Sequence, residues 1–235
     1  SAIARDAAIA DSDVVDRLAN LVTKSLVTSD GGHPVVHYRL LDTTRAYALE
    51  KLTETGELER LARRHAEYHR HLFERAADEW ETRPIAEWLA AYGRQLDNVR
   101  AALDWAFSPR GDRAIGVALT VAALPLWIQW SLMDECHERV ETALSGIAKE
   151  SSRDERPRMQ LHAALGLSLL YTKGNAPETV AAWEDALAMA QHLDDTEYQL
   201  RALFGLWTCR VSIPECRAAL ELAQRLLSLA AMQAD

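Results

Sequence analysis

The sequence predicts a mainly α-helical protein with one β-hairpin near its N-terminus and paired, repeated helices toward its C-terminus. Apolar residues recur at spacings of three and four along most of the chain, as on the buried face of a helix. Two β-rich runs flank Asp30-Gly31-Gly32, a turn signal because glycine accepts a positive φ angle without steric cost. Segments about 40 residues apart also resemble one another, which indicates a repeated structural unit.

The first segment, residues 1–56, predicts a helix, a hairpin and a second helix. Apolar residues at helical spacing predict a helix over 13–23, and the two β-rich runs follow it. Asp42 is the expected N-cap of the second helix, in which Ala46, Leu49 and Leu52 form an apolar stripe that ends near Gly56. Helix, β-wing and helix form the back half of a winged-helix module, so the module is partial.

Residues 57–113 predict a connecting helical hairpin. A long polar helix covers residues 57–80, and Pro84 marks the next start because its missing N–H is harmless in a first turn. The second helix is expected to continue to Phe107, before the sequence SPRGD.

Residues 114–235 predict helical repeats. Segment 118–145 matches 161–188 at an offset of 43, and 200–210 matches 161–171 at an offset of 39. An apolar-Gly-apolar triplet recurs as Leu165-Gly166-Leu167 and Phe204-Gly205-Leu206, where small residues let helices approach closely. Ala123 replaces the glycine in the first unit, and the terminal proline of the standard repeat is missing. The prediction is an α–α superhelix of tetratricopeptide-like repeats.

The uncharged run at 114–133 is long enough to raise the question of a membrane span. Gly116, Thr120 and Pro125 dilute it, and a helix enclosed by other helices can be apolar all round. A buried helix is therefore the favoured interpretation.

The composition is that of a globular, soluble protein. The 235 residues include 49% hydrophobic and 26% charged residues, enough to bury one or two cores. The 35 acidic and 26 basic residues give a net charge of −9, and the excess of acid lies beyond residue 70. This balance argues against tight, non-specific binding to a phosphate backbone.

The cysteines and the N-terminus predict a cytoplasmic protein. Cys136, Cys209 and Cys216 are too few and too scattered for a disulfide framework, which favours a reducing compartment. Charges at Arg5 and Asp6 interrupt the apolar core that a signal peptide needs, so we expect no export signal.

Charged and metal-ligating residues give no strong site. His65, His69 and His71 lack an apparent further ligand, and adjacent Cys136 and His137 diverge on a helix, so no metal site is predicted. A basic stretch within residues 60–75 could contact nucleic acid. Glutamates interleave with its arginines at spacings of three and four, so pairing along a surface helix is the better explanation.

Seven tryptophans are the most informative large side chains, and most of them are expected in the core. If the repeat register holds, the inner face of the first helices presents Trp127, Tyr171 and Arg210. These three residues are the candidate partner groove, suited to a peptide or a small ligand.

Three separated blocks resemble a known family. They are LANLVTKSLVTSD with YRLLDTTRAYALEKL, then RRHAEYH, then QLDNVRAALDWAF, and they lie in this order within residues 14–107. Together they resemble the stretch that follows the nucleotide-binding domain in bacterial STAND-class signal-transduction ATPases, whose relatives include AfsR-like regulators and NB-ARC proteins. Beyond Phe107 the resemblance rests on architecture alone.

The resemblance implies that the winged helix packs on an upstream nucleotide-binding domain, and that the repeats bind a peptide, protein or small-molecule effector. It implies ATP or ADP as cofactor of that upstream domain, contact with DNA only through another domain, no membrane partner, and allows a homo-oligomer. This chain departs from the complete pattern because Lys24-Ser25 lacks the glycines of a phosphate-binding loop. We therefore expect no cofactor here, and a fragment of a longer regulator.

The leading functional interpretation is a non-catalytic sensor segment of a STAND-type regulator of transcription. The alternative is a free-standing tetratricopeptide-like scaffold for protein–protein interaction. Direct DNA binding by the winged helix is a third hypothesis, weakened because the wing sequence TSDGGHP has no Lys or Arg. An enzyme is not expected, since no Ser-His-Asp, paired-carboxylate or cofactor pattern stands out.

Overall fold

The computed structural model describes residue 3 and residues 11–30, 36–147, 155–211 and 216–231. This part of the chain is mainly helical and contains a single two-stranded antiparallel sheet, as the sequence predicted. It divides into two compact units, Ser1–Tyr68 and His69–Asp235.

The first unit begins with helix α1 and the predicted hairpin. Helix α1 spans Asp11–Thr23, and strands β1 and β2 span Val27–Asp30 and His37–Leu40. The strands pair antiparallel with Val27 opposite Leu40, and the Val27 side chain is only 4% exposed. The glycines of the predicted turn, Gly31 and Gly32, lie outside the described residues.

Helix α2, Asp42–Glu54, differs from its prediction in two ways. Leu41 holds the N-cap position without a side-chain hydrogen bond, so Asp42 is instead the first helical residue. Its carboxylate interacts favourably with the helix dipole there. The predicted apolar stripe is not covered: no residue of α2 is buried, and Leu49 is 45% exposed. The predicted end is confirmed, because Gly56 has a φ of +72° just beyond the helix.

The remaining helices follow one another with short connections. Helix α3 crosses the boundary between the units, and all later helices belong to the second unit. Their bounds are α3 Leu58–Glu79, α4 Ile85–Tyr92, α5 Leu96–Ala106, α6 Arg113–Gln129, α7 Met133–Gly146, α8 Glu155–Lys173, α9 Pro177–His192, α10 Thr196–Val211 and α11 Cys216–Ala231.

Helices α4 and α5 correct the prediction of one continuous helix from Pro84 to Phe107. A 3₁₀ turn at Gly93–Gln95 separates them. Gly93 is buried against the indole of Trp130, where a Cβ would lie 3.2 Å from Trp130 Cζ2. Because glycine is a weak helix former, the α-helix is easily interrupted here.

An aromatic cluster joins the C-terminal half of α3 to α4. The Trp88 side chain is fully buried, and its Nε1 donates a hydrogen bond to the Ala76 carbonyl oxygen at 2.7 Å. The Trp80 ring meets the Trp88 ring edge to face, with centroids 5.2 Å apart, and Tyr92 Oη donates to Glu79 Oε2 at 3.0 Å. These contacts satisfy the polar atoms of the buried rings while the rings fill the core.

From α5 onward, each helix packs on the next one in the chain, and the alternate helices α6, α8 and α10 also pack on one another. The pairs α6/α7, α8/α9 and α10/α11 therefore form helical hairpins that pack on one another. Ser131 lies between α6 and α7, Gly174 between α8 and α9, and Asp194 between α9 and α10. Their φ angles are +55°, +69° and +52°. Only Gly174 adopts this conformation without steric cost.

The uncharged run at 114–133 is a buried helix in the structure. It supplies most of α6, and ten residues of α6 are buried. Asp112 caps the helix, since its Oδ1 accepts a hydrogen bond from the Ala114 N–H at 3.1 Å. Among the described residues, no helix combines the length and the apolarity that crossing a membrane requires.

Two ion pairs fix α5 against α7. Arg100 donates to both carboxylate oxygens of Glu135, at 2.8 and 2.6 Å, and Arg139 pairs with Asp104 at 2.6 Å. The partners are four residues apart on each helix, so both pairs lie along one seam. The Arg100 contact lowers the pKa of Glu135 below its usual value.

Candidate binding groove

Alternate helices of the second unit enclose a groove of about 640 Å³. Helices α3, α6, α8 and α10 line it, and α9 contributes one side chain, Trp183. It is called the groove below, and its lining residues are Glu74, Ala77, Asp78, Trp80, Glu81, Ala118, Val121, Ala122, Leu124, Pro125, Ile128, Arg156, Pro157, Gln160, Ala163, Ala164, Leu167, Trp183, Glu197, Tyr198, Arg201 and Phe204.

Small side chains on neighbouring helices make room for the groove. Ala118 and Ala122 lie on α6, and Ala163 and Ala164 lie on α8. An alanine side chain ends at Cβ, so facing alanines leave space that larger residues would fill. The remaining walls are largely aliphatic or aromatic, and Phe204 keeps 58% of its surface exposed there.

Trp183 reaches the groove through a gap between α8 and α10 that two glycines create. A Cβ at Gly166 would lie 2.6 Å from Trp183 Cδ2, and a Cβ at Gly205 would lie 2.3 Å from Trp183 Cε2. Both distances are far below van der Waals contact, so only glycine fits beside this indole. The predicted apolar-Gly-apolar triplets therefore permit close packing, with a tryptophan from α9 as the partner.

Charged residues gather at one end of the groove. Arg201 of α10 pairs with Glu197 on the same helix, and its Nη2 lies 3.5 Å from Oε1 of Glu81, just beyond α3. Arg156 of α8 pairs with Asp195 at 2.9 Å, and Asp195 also caps α10 through the Tyr198 N–H at 3.1 Å. Both groove arginines are therefore held by carboxylates of this chain.

Tyr198 lies beside this charged end. Burial raises the pKa of its hydroxyl, so it remains a neutral donor and acceptor at physiological pH. Gln160 Nε2 donates to Tyr198 Oη at 3.3 Å, and the Arg201 guanidinium lies 5.0 Å from the ring centroid. The ring thus fixes the position of Arg201 by a cation–π contact.

The groove carries more acid than base. Its lining includes the carboxylates of Glu74, Asp78, Glu81 and Glu197 but only two guanidinium groups, those of Arg156 and Arg201. Glu74 accepts from Arg70 at 2.8 Å, on the same helix. Asp78 has no ion pair within the described part of the chain. The lining of the groove as a whole therefore favours cations over anions.

The structure separates the three residues predicted as a partner groove. Trp127 has no exposed surface, because α5, α7 and α8 pack around α6. Tyr171 is 71% exposed and lines an adjoining cavity of about 600 Å³, together with Ile128 and Leu167, which the groove shares. Arg210 is half-buried and does not line either cavity. Of the three, Tyr171 is the residue that lines one of these two cavities.

Sequence reasoning missed the groove residues of α10. Glu197, Arg201 and Phe204 follow one another at spacings of four and three, so they share one face of the helix. This mixed charged and aromatic stripe was visible in the sequence. Its place on the groove depends on the packing of α10 against α8, which the sequence did not fix.

The other candidate residues have structural partners. The basic stretch pairs along α3 as predicted, with Arg60–Glu57 at 3.0 Å and Arg63–Glu67 at 3.0 Å. His71 contacts Glu74, and within the described ranges no three His, Cys, Asp or Glu side chains gather as metal ligands. Burial raises the pKa of the Cys136 thiol to about 12, which makes it a poor nucleophile.

Comparison with known proteins relates the chain to regulators of transcription. It is 29% identical over 204 residues to Rv0890c and MT0914 of Mycobacterium tuberculosis and to Mb0914c of Mycobacterium bovis, whose names provisionally class them as HTH-type transcriptional regulators. The match covers 81% of this chain, which spans 22% of the length of each relative. No protein-family model and no solved structure matches the chain.

Proposed function

We propose that the chain is a non-catalytic sensor segment of a STAND-type regulator of transcription. Its helical hairpins form a tetratricopeptide-like superhelix, and an effector or partner binds in the groove. The partial winged helix packs on an upstream nucleotide-binding domain that carries ATP or ADP. The order of helix, hairpin and repeated helical pairs, together with the similarity to named regulators, supports this proposal.

The groove is the observation that carries the proposal. It is large, has mainly apolar walls, and lies on alternate helices of adjacent hairpins. Such walls bind a side chain or a small molecule by removing apolar surface from water. Its arginines and most of its carboxylates form ion pairs with other residues of this chain. These pairs hold the charged groups in place, as recognition of a ligand requires.

The first unit supports the proposed packing on another domain. It exposes large apolar side chains on the second strand and on α2, including Tyr38, Leu40, Tyr47 and Leu49. Exposed large apolar residues of this kind are available to be buried against another protein. An effector in the groove alters the nucleotide-binding domain only if its affinity differs between the two states of the regulator.

Phe204→Ala in the full-length regulator tests the proposal. This change removes an exposed groove ring, so we expect transcription from a regulated promoter to respond at least tenfold less sensitively to the inducing condition. Val211→Ala is the matched control, because Val211 lies on the same helix, is exposed, and does not line the groove. Equal responses for both variants would contradict the proposal.

One observation favours the alternative, a free-standing scaffold. Every residue that lines the groove lies in the second unit, so the groove needs no residue of the first. Nucleotide binding by the full-length protein separates the two interpretations. Retention of radiolabelled ATP after gel filtration is expected for the regulator, whereas the scaffold retains none.

A further inference from the structure

We propose that the occupant of the groove is a peptide segment in which apolar and cationic side chains are combined. This inference rests on the proposed function, and it specifies the chemistry of the partner. Three features of the groove carry it: the distribution of charge at its end, the apolar walls beside that end, and a buried donor without an acceptor.

The charge at the groove end selects a cation. Arg201 is paired with Glu81 and Glu197, so an anionic ligand competes with this chain's own carboxylates for it. Asp78 offers a carboxylate without an ion pair among the described residues, so a lysine or arginine pairs there without breaking a contact. The net charge of −9 also attracts a cationic ligand at long range.

The apolar walls of the groove favour an apolar side chain in the same ligand as that cation. Val121, Leu167 and Phe204 line the same groove, and Phe204 has much of its ring exposed to water. An aliphatic side chain placed against these residues removes apolar surface of both partners from solvent. A simple amine or metal ion would leave this part of the groove unused.

Trp183 supplies the feature that points to a peptide. Its indole lines the groove and is 5% exposed, and its Nε1–H is buried without an acceptor in the described part of the chain. A buried donor without a partner is costly, and a ligand acceptor that reaches it gains the full benefit of the bond. The backbone carbonyl of a peptide is such an acceptor, and it accompanies both side-chain types.

Fluorescence anisotropy with the 235-residue chain tests the proposal. The probe is a short, acetylated, fluorescein-labelled peptide that alternates leucine and lysine. We expect saturable binding, and we expect it to weaken about tenfold when every lysine is replaced by glutamate or every leucine by serine. Failure of the leucine–lysine peptide to bind, or tighter binding of the glutamate peptide, would overturn the proposal.

Two charge-reversal variants separate the groove from general attraction to an acidic protein. Asp78→Lys changes the groove, whereas Glu138→Lys makes the same change at an exposed site on α7 that does not line it. We expect about tenfold weaker peptide binding for Asp78→Lys and less than about twofold for Glu138→Lys. Equal effects would mean that the peptide follows net charge, which contradicts the proposal.

A second pair of measurements guards against misfolding and keeps the two proposals distinct. Asp78→Asn keeps the shape of the side chain, so its circular dichroism spectrum is expected to be unchanged. We expect it to show about half of the loss in peptide-binding free energy that Asp78→Lys shows. If Phe204→Ala abolishes promoter response while the peptide fails to bind, the proposed function stands and the occupant class is wrong. If Phe204→Ala leaves the response unchanged, the proposed function itself fails.

Discussion

Trp183 is the residue on which the packing of the repeated helices depends most directly. Its ring fills the space that Gly166 and Gly205 leave between α8 and α10, and it belongs to a buried cluster with Leu203 and Leu206. A methyl group at either glycine has to displace a ring that is enclosed on both sides. Tight interiors respond to such crowding with backbone shifts that cost about 1–3 kcal/mol.

Gly205→Ala is therefore expected to lower the free energy of unfolding by about 1–3 kcal/mol, although alanine is the better helix former. Gly146→Ala is the control, because a Cβ there would meet Phe107 Cε1 at an ordinary 3.5 Å. The control is expected to be neutral, or stabilising by up to about 1 kcal/mol. Urea denaturation followed by circular dichroism distinguishes the two results, and a stable Gly205→Ala protein would refute the packing argument.

Glu135 is the second residue for which one change has a defined effect. Its side chain is 18% exposed and accepts two hydrogen bonds from Arg100. Glu135→Gln removes the charge that strengthens both bonds, so we expect a loss of about 1.5–3 kcal/mol in the free energy of unfolding. Glu138→Gln on the exposed face of α7 should stay within about 0.5 kcal/mol.

The same ion pair makes stability depend on pH in a stated direction. Hydrogen bonding from Arg100 lowers the pKa of Glu135 in the folded protein below the ordinary value of 4.5. The stabilisation is complete above pH 4.5 and is lost as the pH falls through the folded-state pKa, because the unfolded chain takes up the proton first. The free energy of unfolding, measured from neutral pH down to pH 3, should therefore fall less steeply with pH for Glu135→Gln than for the unchanged protein. An equal pH dependence for both proteins would exclude this contribution.

At the scale of elements, α2 is the helix in which the burial predicted from the sequence and the burial in the structure disagree. Its apolar residues stay exposed in the described chain, so truncating one of them removes little packing. We expect Leu49→Ala to change the stability of the first unit by less than about 0.5 kcal/mol. Val27→Ala in the same unit should cost about 1.5 kcal/mol, because Val27 is buried. Thermal unfolding of the chain measures both, and a large loss for Leu49→Ala would show that α2 is covered.

The elements that the sequence predicted are those with local causes. The hairpin follows from the β-rich runs around two glycines, and the helix pairs follow from apolar spacing and from the connections between them. The break between α4 and α5 could not be predicted in this way. Gly93 at this break packs against Trp130, which lies 37 positions further along the chain, so its surroundings cannot be read from the local sequence.

At the scale of the whole molecule, the distribution of charge leads to a prediction about nucleic acid. The net charge is −9, and Arg60, Arg63 and Arg70 of α3 pair with glutamates three or four residues away. We expect no mobility shift of a labelled DNA duplex with this chain, even at low salt, because few cations remain to replace counterions. A shift that weakens steeply with added salt would restore the hypothesis of direct DNA binding.

The candidate site was predictable as a type of surface but not residue by residue. The repeat offsets indicated that the first helix of each pair faces a common side, and the groove lies on α6, α8 and α10. The choice of Trp127, Tyr171 and Arg210 required the rotation of each helix about its axis. A turn of one residue changes the facing direction by about 100°, enough to bury Trp127 and leave Tyr171 exposed.

The contact of Gly166, Trp183 and Gly205 also restricts how this chain can diverge over evolutionary time. A larger residue at either glycine and a smaller ring at position 183 are each destabilising alone, by crowding or by a cavity, and they compensate each other when combined. The three codons are therefore expected to change together across related genes. Coupled substitutions at these positions would thus report the spacing between α8 and α10 in related proteins.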